Sequence, residues 1–348
     1  MSNAQLTLSR KGFAAHPSLM QPFKDPKSGQ VYVFNENKTR KIPLNVSPLV
    51  ANATLTYDEW RLIDDVLLDI SRQRIAGIDE LREYGLIKPL ANPLANTILT
   101  YSRKSDSMEA NISISPSRRS PGDRPVYENV HFPLPIVHAD FDIEDRVLQQ
   151  SQNVGQGLDE EAIYDAGYAV MLKQVDMLFG ASSSFAYDNG TIYTYQTEPN
   201  RTQGTLINAW DSSANASGAS ILADVLAMKQ ALIDDYYYGP YVVYIPTEYE
   251  TVLDDDFDTT TATGRTIRER ILQVDKIEKI VVVDRLTAGQ VIMVSMNRNV
   301  VDLVDGFGLT TVEWQPDPFN HSYKVMSMQL PRVKSDYSDR SGIAHWSE

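Results

Sequence analysis

Apolar positions along this chain repeat with two periods, and the switches between them divide it into elements. Residues 56–86, "TYDEWRLIDDVLLDISRQRIAGIDELREYGL", set Trp60, Ile63, Val66, Leu67 and Ile70 at helical spacing. Thr56 stands as N-cap with Glu59 at the capping-box position, and Gly77 breaks the run before a short turn ending near Gly85. The most regular helix signal is "GLDEEAIYDAGYAVMLKQVDMLFGA" at 157–181. There Leu158, Ala162, Ile163, Ala166, Ala169, Val170, Leu172, Val175, Leu178 and Phe179 form a wide apolar surface. Asp159, Glu160 and Glu161 occupy its first turn, where each carboxylate offsets the positive helix end by about 0.3–1 kcal/mol. Asp165 follows Glu161 at i+4, a like-charge pair that points to an external basic partner. Gly180 supplies the stop. Further helices are expected at 217–237, capped by Ser217, and at 263–274.

Strand signals fill the intervals. "NTILTY" and "ANISIS" alternate, with the turn-rich "SPSRRSPGDRP" (115–125) between them and the next strand. This predicts a long two-stranded arm, which needs another surface to lie on because an isolated hairpin is marginal in water. "PIVHADFDIEDR" is a second alternating strand, and "FAYDNGTIYTY" places Asn189-Gly190 as the turn of a hairpin. "YVVYI" (241–245) reads as buried strand followed by a short helix opened by Thr247. Strands are expected at 279–284, 290–296, 299–304 and 321–333, ahead of a polar tail. Residues 1–50 hold Pro17, Pro22, Pro26, Pro43 and Pro48, which prevent long helices, so they read as an extended arm. Its run "QVYVF" could pair as a strand but has no obvious partner nearby.

Charge sharpens this division. The 348 residues carry a net charge of −14. Yet the first 50 hold seven basic residues, among them Lys38, Arg40 and Lys41, against Asp25 and Glu36. Such asymmetry marks an arm whose partner differs from that of the body. Residues 102–124 are also basic on balance, with Arg103, Lys104, Arg118, Arg119 and Arg124 against three acids. Residues 234–258 contain eight acids, including Asp254, Asp255, Asp256 and Asp258, and no Lys or Arg. The chain has no cysteine, which removes disulfides, thiolate metal sites and cysteine nucleophiles together. Its start lacks a signal-type apolar run, and its apolar stretches are strand-sized, so a soluble product without membrane contact is expected.

Little points to catalysis. His138, Asp140 and Asp142 share one strand face and could sterically hold a divalent cation, but a half-buried strand has the same pattern. The acids at 254–258 lack calcium-loop spacing, and no phosphate loop, dinucleotide fingerprint, zinc helix or nucleophile elbow is present. No catalytic residue, cofactor or metal is assigned.

The order of elements carries a resemblance. An extended arm, a helix, a long hairpin, a strand leading into the helix ending "VDMLFGA", the segment "QGTLIN" (203–208) and a second α/β portion closing on a long strand together resemble the Hong Kong 97-type capsid fold. That family comprises tailed-phage major capsid proteins and the encapsulins. "GRTIRERILQVDKIEKIVVVDRLTAGQVIMVSMNRNVVDLVDGFGLTTVEW" looks like the closing half of its axial domain, and "HSYKVMSMQLPRVKSDYSDRSGIAH" resembles the strand returning to its peripheral domain. The resemblance implies an α+β fold with an N-terminal arm (1–55), an N-terminal helix (56–86) and an E-loop with its base (87–135). It further implies a peripheral domain (136–205 and 318–348) with spine helix 157–180, and an axial domain (206–317). It implies a non-enzymatic shell subunit forming homo-pentamers and homo-hexamers of an icosahedral virion that encloses double-stranded DNA and is assembled in host cytoplasm. Portal, scaffolding and decoration proteins would be partners. In that reading Arg103, Lys104, Arg118 and Arg119 meet acids such as Glu160, Glu161 and Asp165 of a neighbour. Lys38, Arg40 and Lys41 lie over adjacent subunits, and Asp254, Asp255, Asp256 and Asp258 line the capsomer centre. An encapsulin-type compartment holding enzyme cargo, and a soluble carboxylate-dependent enzyme, stand as alternatives.

Overall fold

The computed structural model describes residues 76–105, 124–144, 160–182, 185–211, 217–257, 264–317 and 320–348, together with 23–24, 31–34, 41–43, 63, 65–67, 112, 114 and 146. In the arm, β1 (Phe23–Lys24), β2 (Val31–Phe34) and β3 (Lys41–Pro43) form a small antiparallel sheet. The "VYVF" run, which had no obvious partner in sequence, thus pairs on both sides with segments of the same arm.

Helix α1 (Ile78–Glu83) begins after Gly77, whose φ of 90° is open to glycine. The Gly77 N–H donates to Glu80 Oε2 at 2.5 Å. A β-carbon there would lie 2.6 Å from Phe179 and 2.8 Å from Leu178, so the absent side chain also admits the end of the long helix. After β4 (Ile87–Pro89), β5 (Ile98–Lys104) and β6 (Tyr127–Pro133) pair from Ile98↔Pro133 to Lys104↔Tyr127. They form the base of the expected long hairpin. β7 (Val137–Glu144) buries Val137, Phe141 and Ile143 and exposes His138, Asp140, Asp142 and Glu144, the alternation read from its sequence.

Helix α2 (Glu160–Phe179) lays Ile163, Ala166, Val170, Val175, Leu178 and Phe179 on the core, while Ala169 faces outward. Its one fully buried amide, Gln174, donates to Ser327 Oγ at 2.8 Å. β8 (Phe185–Tyr187) and β9 (Gly190–Ile192) are joined through Asp188 and Asn189, both at positive φ. The turn therefore sits one residue earlier than the Asn-Gly pair suggested. Asp and Asn tolerate the left-handed region, and Gly190 serves close approach instead: a β-carbon there would lie 2.6 Å from the His131 carbonyl oxygen.

Two sheets organise the body. β14 (Val301–Asp317) and β15 (Asn320–Val333) are long partners in a four-stranded sheet of order β4-β14-β15-β7, against which α2 packs. The second sheet contains β10 (Thr202–Thr205), β11 (Tyr241–Ile245), β12 (Ile277–Val282), β13 (Gln290–Ser295) and β16 (Ile343–Ser347), ordered β10-β16-β13-β11-β12. β11 and β13 are buried on both faces, which is why their sequences read as continuous apolar runs. Val242, Tyr244, Ile292 and Val294 face the core shared with α2, whereas Tyr241, Val243, Val291 and Met293 face a second core. That second core is roofed by α3 (Gly218–Asp234), with α4 (Glu250–Leu253) and α5 (Ile267–Leu272) beside it. Ser217 caps α3 as expected, accepting from Ser220 N at 3.2 Å.

Three groupings differ from the sequence-based division. Residues 343–347, expected in a polar tail beside the peripheral strand, form β16 inside the second sheet, with Ile343 and Ala344 fully buried. β10 joins that sheet as the parallel partner of β16. β14, expected to end near residue 304 in the axial portion, continues to Asp317 within the first sheet. For β16 and β10 the partner is distant in sequence, whereas β14 is prolonged by the strand that follows it, β15.

Candidate functional site

At the hairpin base, Arg103 Nη2 donates to Glu128 Oε2 at 2.6 Å, directly across the β5–β6 ladder. Its Nη1 donates to Ser335 Oγ at 3.0 Å and the Asp336 carbonyl at 3.1 Å, with Asp339 Oδ1 at 3.4 Å. Arg103 therefore ties the hairpin to the 334–340 loop of its own chain. Lys104, one residue further out, is exposed. Ile112 and Ile114, beyond the paired strands, are fully exposed. Arg118 and Arg119 lie outside the described residues.

On α2, Glu160 opens the helix, and Glu161 and Asp165 lie on its exposed face. Tyr164 and Tyr168 share that face, stacked with ring centroids 6.0 Å apart and planes 12° from parallel. This tyrosine pair is the feature that charge-based reading of the helix passed over. Its signal was present, as two aromatics at i and i+4 in register with the two acids.

The acidic segment after α4 is folded back on basic residues that follow it. Arg268 Nε donates to Asp254 Oδ1 at 2.8 Å, Ile267 N to the Asp255 carbonyl at 3.0 Å, and Phe257 N to the Arg265 carbonyl at 3.0 Å. Asp256 forms a bridge with Thr266. The negative charge of 234–258 is thus partly matched by the neck of its own loop. Asp258 lies outside the described residues, as do Lys38 and Arg40, while Lys41 opens β3.

His138, Asp140 and Asp142 do share one face of β7. Lys324 Nζ lies 3.3 Å from Asp140, and Ser322 donates to Asp142. Among the described residues no group of three His, Asp or Glu side chains is arranged to hold a metal ion, and no helix is long and apolar enough to cross a membrane.

A cleft of about 480 Å³ opens between the hairpin base, β9 with the segment after it, and the 333–339 loop. Tyr101, Arg103, Glu128, His131, Glu198 and Asp339 are among its walls. Glu198 is 3% exposed. Burial pushes its carboxyl up to about 7, against the opposing pull of the Asn200 N–H, Arg103 and Arg201. Next to it, Arg201 Nη1 donates to the Glu198 carbonyl at 2.8 Å, and Nε donates to His345 Nδ1 at 3.1 Å. His345 is left with its Nε2 hydrogen facing Gln290 Oε1 at 3.1 Å. Burial, then the Arg201 charge, lowers its pKa to about 4. No sequence motif marked this region, because its parts come from four separate stretches of chain.

The arrangement of sheets, helix and hairpin is that of solved shell proteins. The chain aligns with a virus-like particle from Pyrococcus furiosus at TM-score 0.58 and 14% identity, over 82% of this chain and 98% of that one. It aligns with the capsid of Myoviridae phage XM1 at TM-score 0.58 and 13% identity, over 79% and 93%. The capsid of a native GTA particle gives TM-score 0.56 and 10% identity, over 79% and 92%. The likeness is one of fold, and it is the α+β Hong Kong 97-type fold expected from the order of elements. Residues 50–346 match the profile of a family described as a family of unknown function, DUF6260, and the chain belongs to that family.

Proposed function

We propose that this protein is the structural subunit of a closed shell, and that its mechanism is association rather than catalysis. The observation that carries the reading is the extent of the fold likeness, which takes in more than nine tenths of each of the three shell proteins compared. In this reading the four-stranded sheet with α2 forms the peripheral domain, and the five-stranded sheet with α3 to α5 forms the axial one. The axial domain carries Asp254, Asp255, Asp256 and Asp258 toward the centre of a pentamer or hexamer.

The physics of the hairpin supports self-association. Ile112 and Ile114 stand fully exposed beyond its paired strands, and apolar side chains so placed gain about 1.5–3 kcal/mol each when a partner buries them. Lys104, Arg118 and Arg119 lie on the same arm, and Glu161, Asp165, Tyr164 and Tyr168 offer a facing surface of opposite charge on a second copy's α2. Each contact is modest, and closure of a shell multiplies them. Further, we assign the particle to a virion that encloses DNA, with portal, scaffolding and decoration proteins as partners. The overall charge of −14 keeps the wall from gripping a phosphate backbone.

Electron microscopy of the purified full chain tests the shell reading: uniform closed particles are expected. A monodisperse monomer or dimer under all assembly conditions overturns it. Nucleic acid recovered from nuclease-treated particles supports the virion reading, and enzyme cargo in its place supports a compartment.

A further inference from the structure

The cleft between hairpin base and body is not filled by any described part of this chain, and its charge is unbalanced. Two carboxylates, Glu128 and Asp339, and the buried Glu198 carboxyl face one guanidinium, that of Arg103. Arg103 is shared between Glu128 and Asp339. Glu198 is nine-tenths buried, and among the described residues it makes no salt bridge. Its carboxyl is met by the Asn200 N–H, with Arg103 and Arg201 acting on it only through their fields. A buried carboxyl at the wall of an open cleft, without an ion-pair partner, leaves room for a cation from outside. The densest basic run in the chain is Lys38, Arg40 and Lys41, three cations in four residues. It lies where the connection from β2 enters β3.

We propose that this cleft receives the basic segment Lys38–Lys41 of a second copy of this chain. The inference rests on the shell reading and adds a defined socket to it. A guanidinium or ammonium entering between Glu128 and Glu198 would meet a carboxyl that no cation pairs, and would favour its ionised form. Because the walls come from both the hairpin and the body, occupancy would fasten the hairpin of one subunit in place through the arm of another. An incoming side chain gains from charge-assisted hydrogen bonds in a partly desolvated site, which are stronger than neutral ones.

The chain contains no cysteine, so introduced thiols are the only ones present. Two single variants, Asn129→Cys at the cleft wall and Thr39→Cys in the basic segment, are co-assembled, checked for particles by electron microscopy and oxidised. The expected result is a disulfide-linked pair of different chains in particles. It should exceed by about tenfold the yield from Thr39→Cys with Leu226→Cys, on the exposed side of α3, as local concentration dictates. Adding Lys38→Glu and Arg40→Glu to the Thr39→Cys chain should bring the yield down to that control. Normal particles without the cross-link overturn this inference and leave the shell reading standing. A double variant that closes its disulfide only within one chain overturns the second copy as occupant. Absence of particles from the parent chain overturns the shell reading and this inference with it.

Discussion

Arg332 lies directly opposite Asp302 in the β14–β15 ladder, and the two side chains form a fork-to-fork pair at 2.8 and 2.6 Å, each 2% exposed. Lys334 Nζ joins the same carboxylate at 2.6 Å, and the guanidinium lies 4.9 Å from the Tyr101 ring centre. One carboxylate thereby holds a buried and a half-buried cation and links the first sheet to the hairpin base. Asp302→Asn keeps the shape and removes the charge that neutralises them. The expected loss is roughly 3–5 kcal/mol, as for other broken buried pairs. It is measured as a lowered urea midpoint of unassembled subunits, and a shift under a fifth of that would show the pair to be dispensable.

Glu198 and His345 bend the pH dependence of stability in opposite directions. The Glu198 carboxyl rises from 4.5 to about 7 on folding, so its contribution is fully present below pH 4.5 and is lost as pH climbs through 7. The shift corresponds to roughly 3 kcal/mol. His345 falls from 6.5 to about 4, so its contribution is present above 6.5 and is lost as pH drops through 4. The two slopes oppose each other between pH 4.5 and 6.5. Glu198→Gln is expected to expose the His345 slope alone, with stability then rising across that window. Denaturation midpoints measured from pH 4 to 8 check this, and an unchanged profile would refute the assignment.

Gly77 meets two constraints at once, a φ of 90° and the proximity of Phe179 and Leu178. Gly77→Ala is expected to cost about 1–2 kcal/mol for the left-handed backbone and about 1–3 kcal/mol more for overpacking. Gly85 has φ 65° and open space around it, so Gly85→Ala should show the backbone cost alone. Comparing their thermal midpoints separates the two terms.

On α2, Glu161→Lys with Asp165→Lys tests the outward face. Both positions are exposed, so subunit stability should move by no more than about 0.5 kcal/mol. Particle yield should drop severalfold, read by sedimentation at low ionic strength, where surface charge acts at longest range. An unchanged yield removes these acids from the interface.

How far the molecule was legible depended on where each constraint came from. The cap at Ser217, the alternation of β7, the doubly buried "YVVYI" and the break at Gly77 were readable because each is set by neighbours within a few residues. The tail was misread for the converse reason. "GIAHWS" is polar at its flanks and short, and only β13 and β10 on either side turn it into an inner strand. The Asp-Asn turn was displaced from Asn-Gly because Gly190 was needed beneath His131, a contact with another hairpin.

The candidate surfaces divide in the same way. That Glu161 and Asp165 share an outward face follows from helical spacing alone. That Arg103 is held by Glu128 and the 335–339 loop depends on strand register and on a segment more than 200 residues away, so local charge counts could not find it. The sequence by itself determined the periods, caps, breaks and charge blocks, and with them the order of elements that resembles a capsid fold. Only the tertiary structure decided which strands share a sheet, which charges are neutralised in place, and that a buried carboxyl is left facing an open cleft. Local steric and hydrogen-bonding preferences act over a few residues, whereas burial and ion pairing are settled by whatever the folded chain brings alongside.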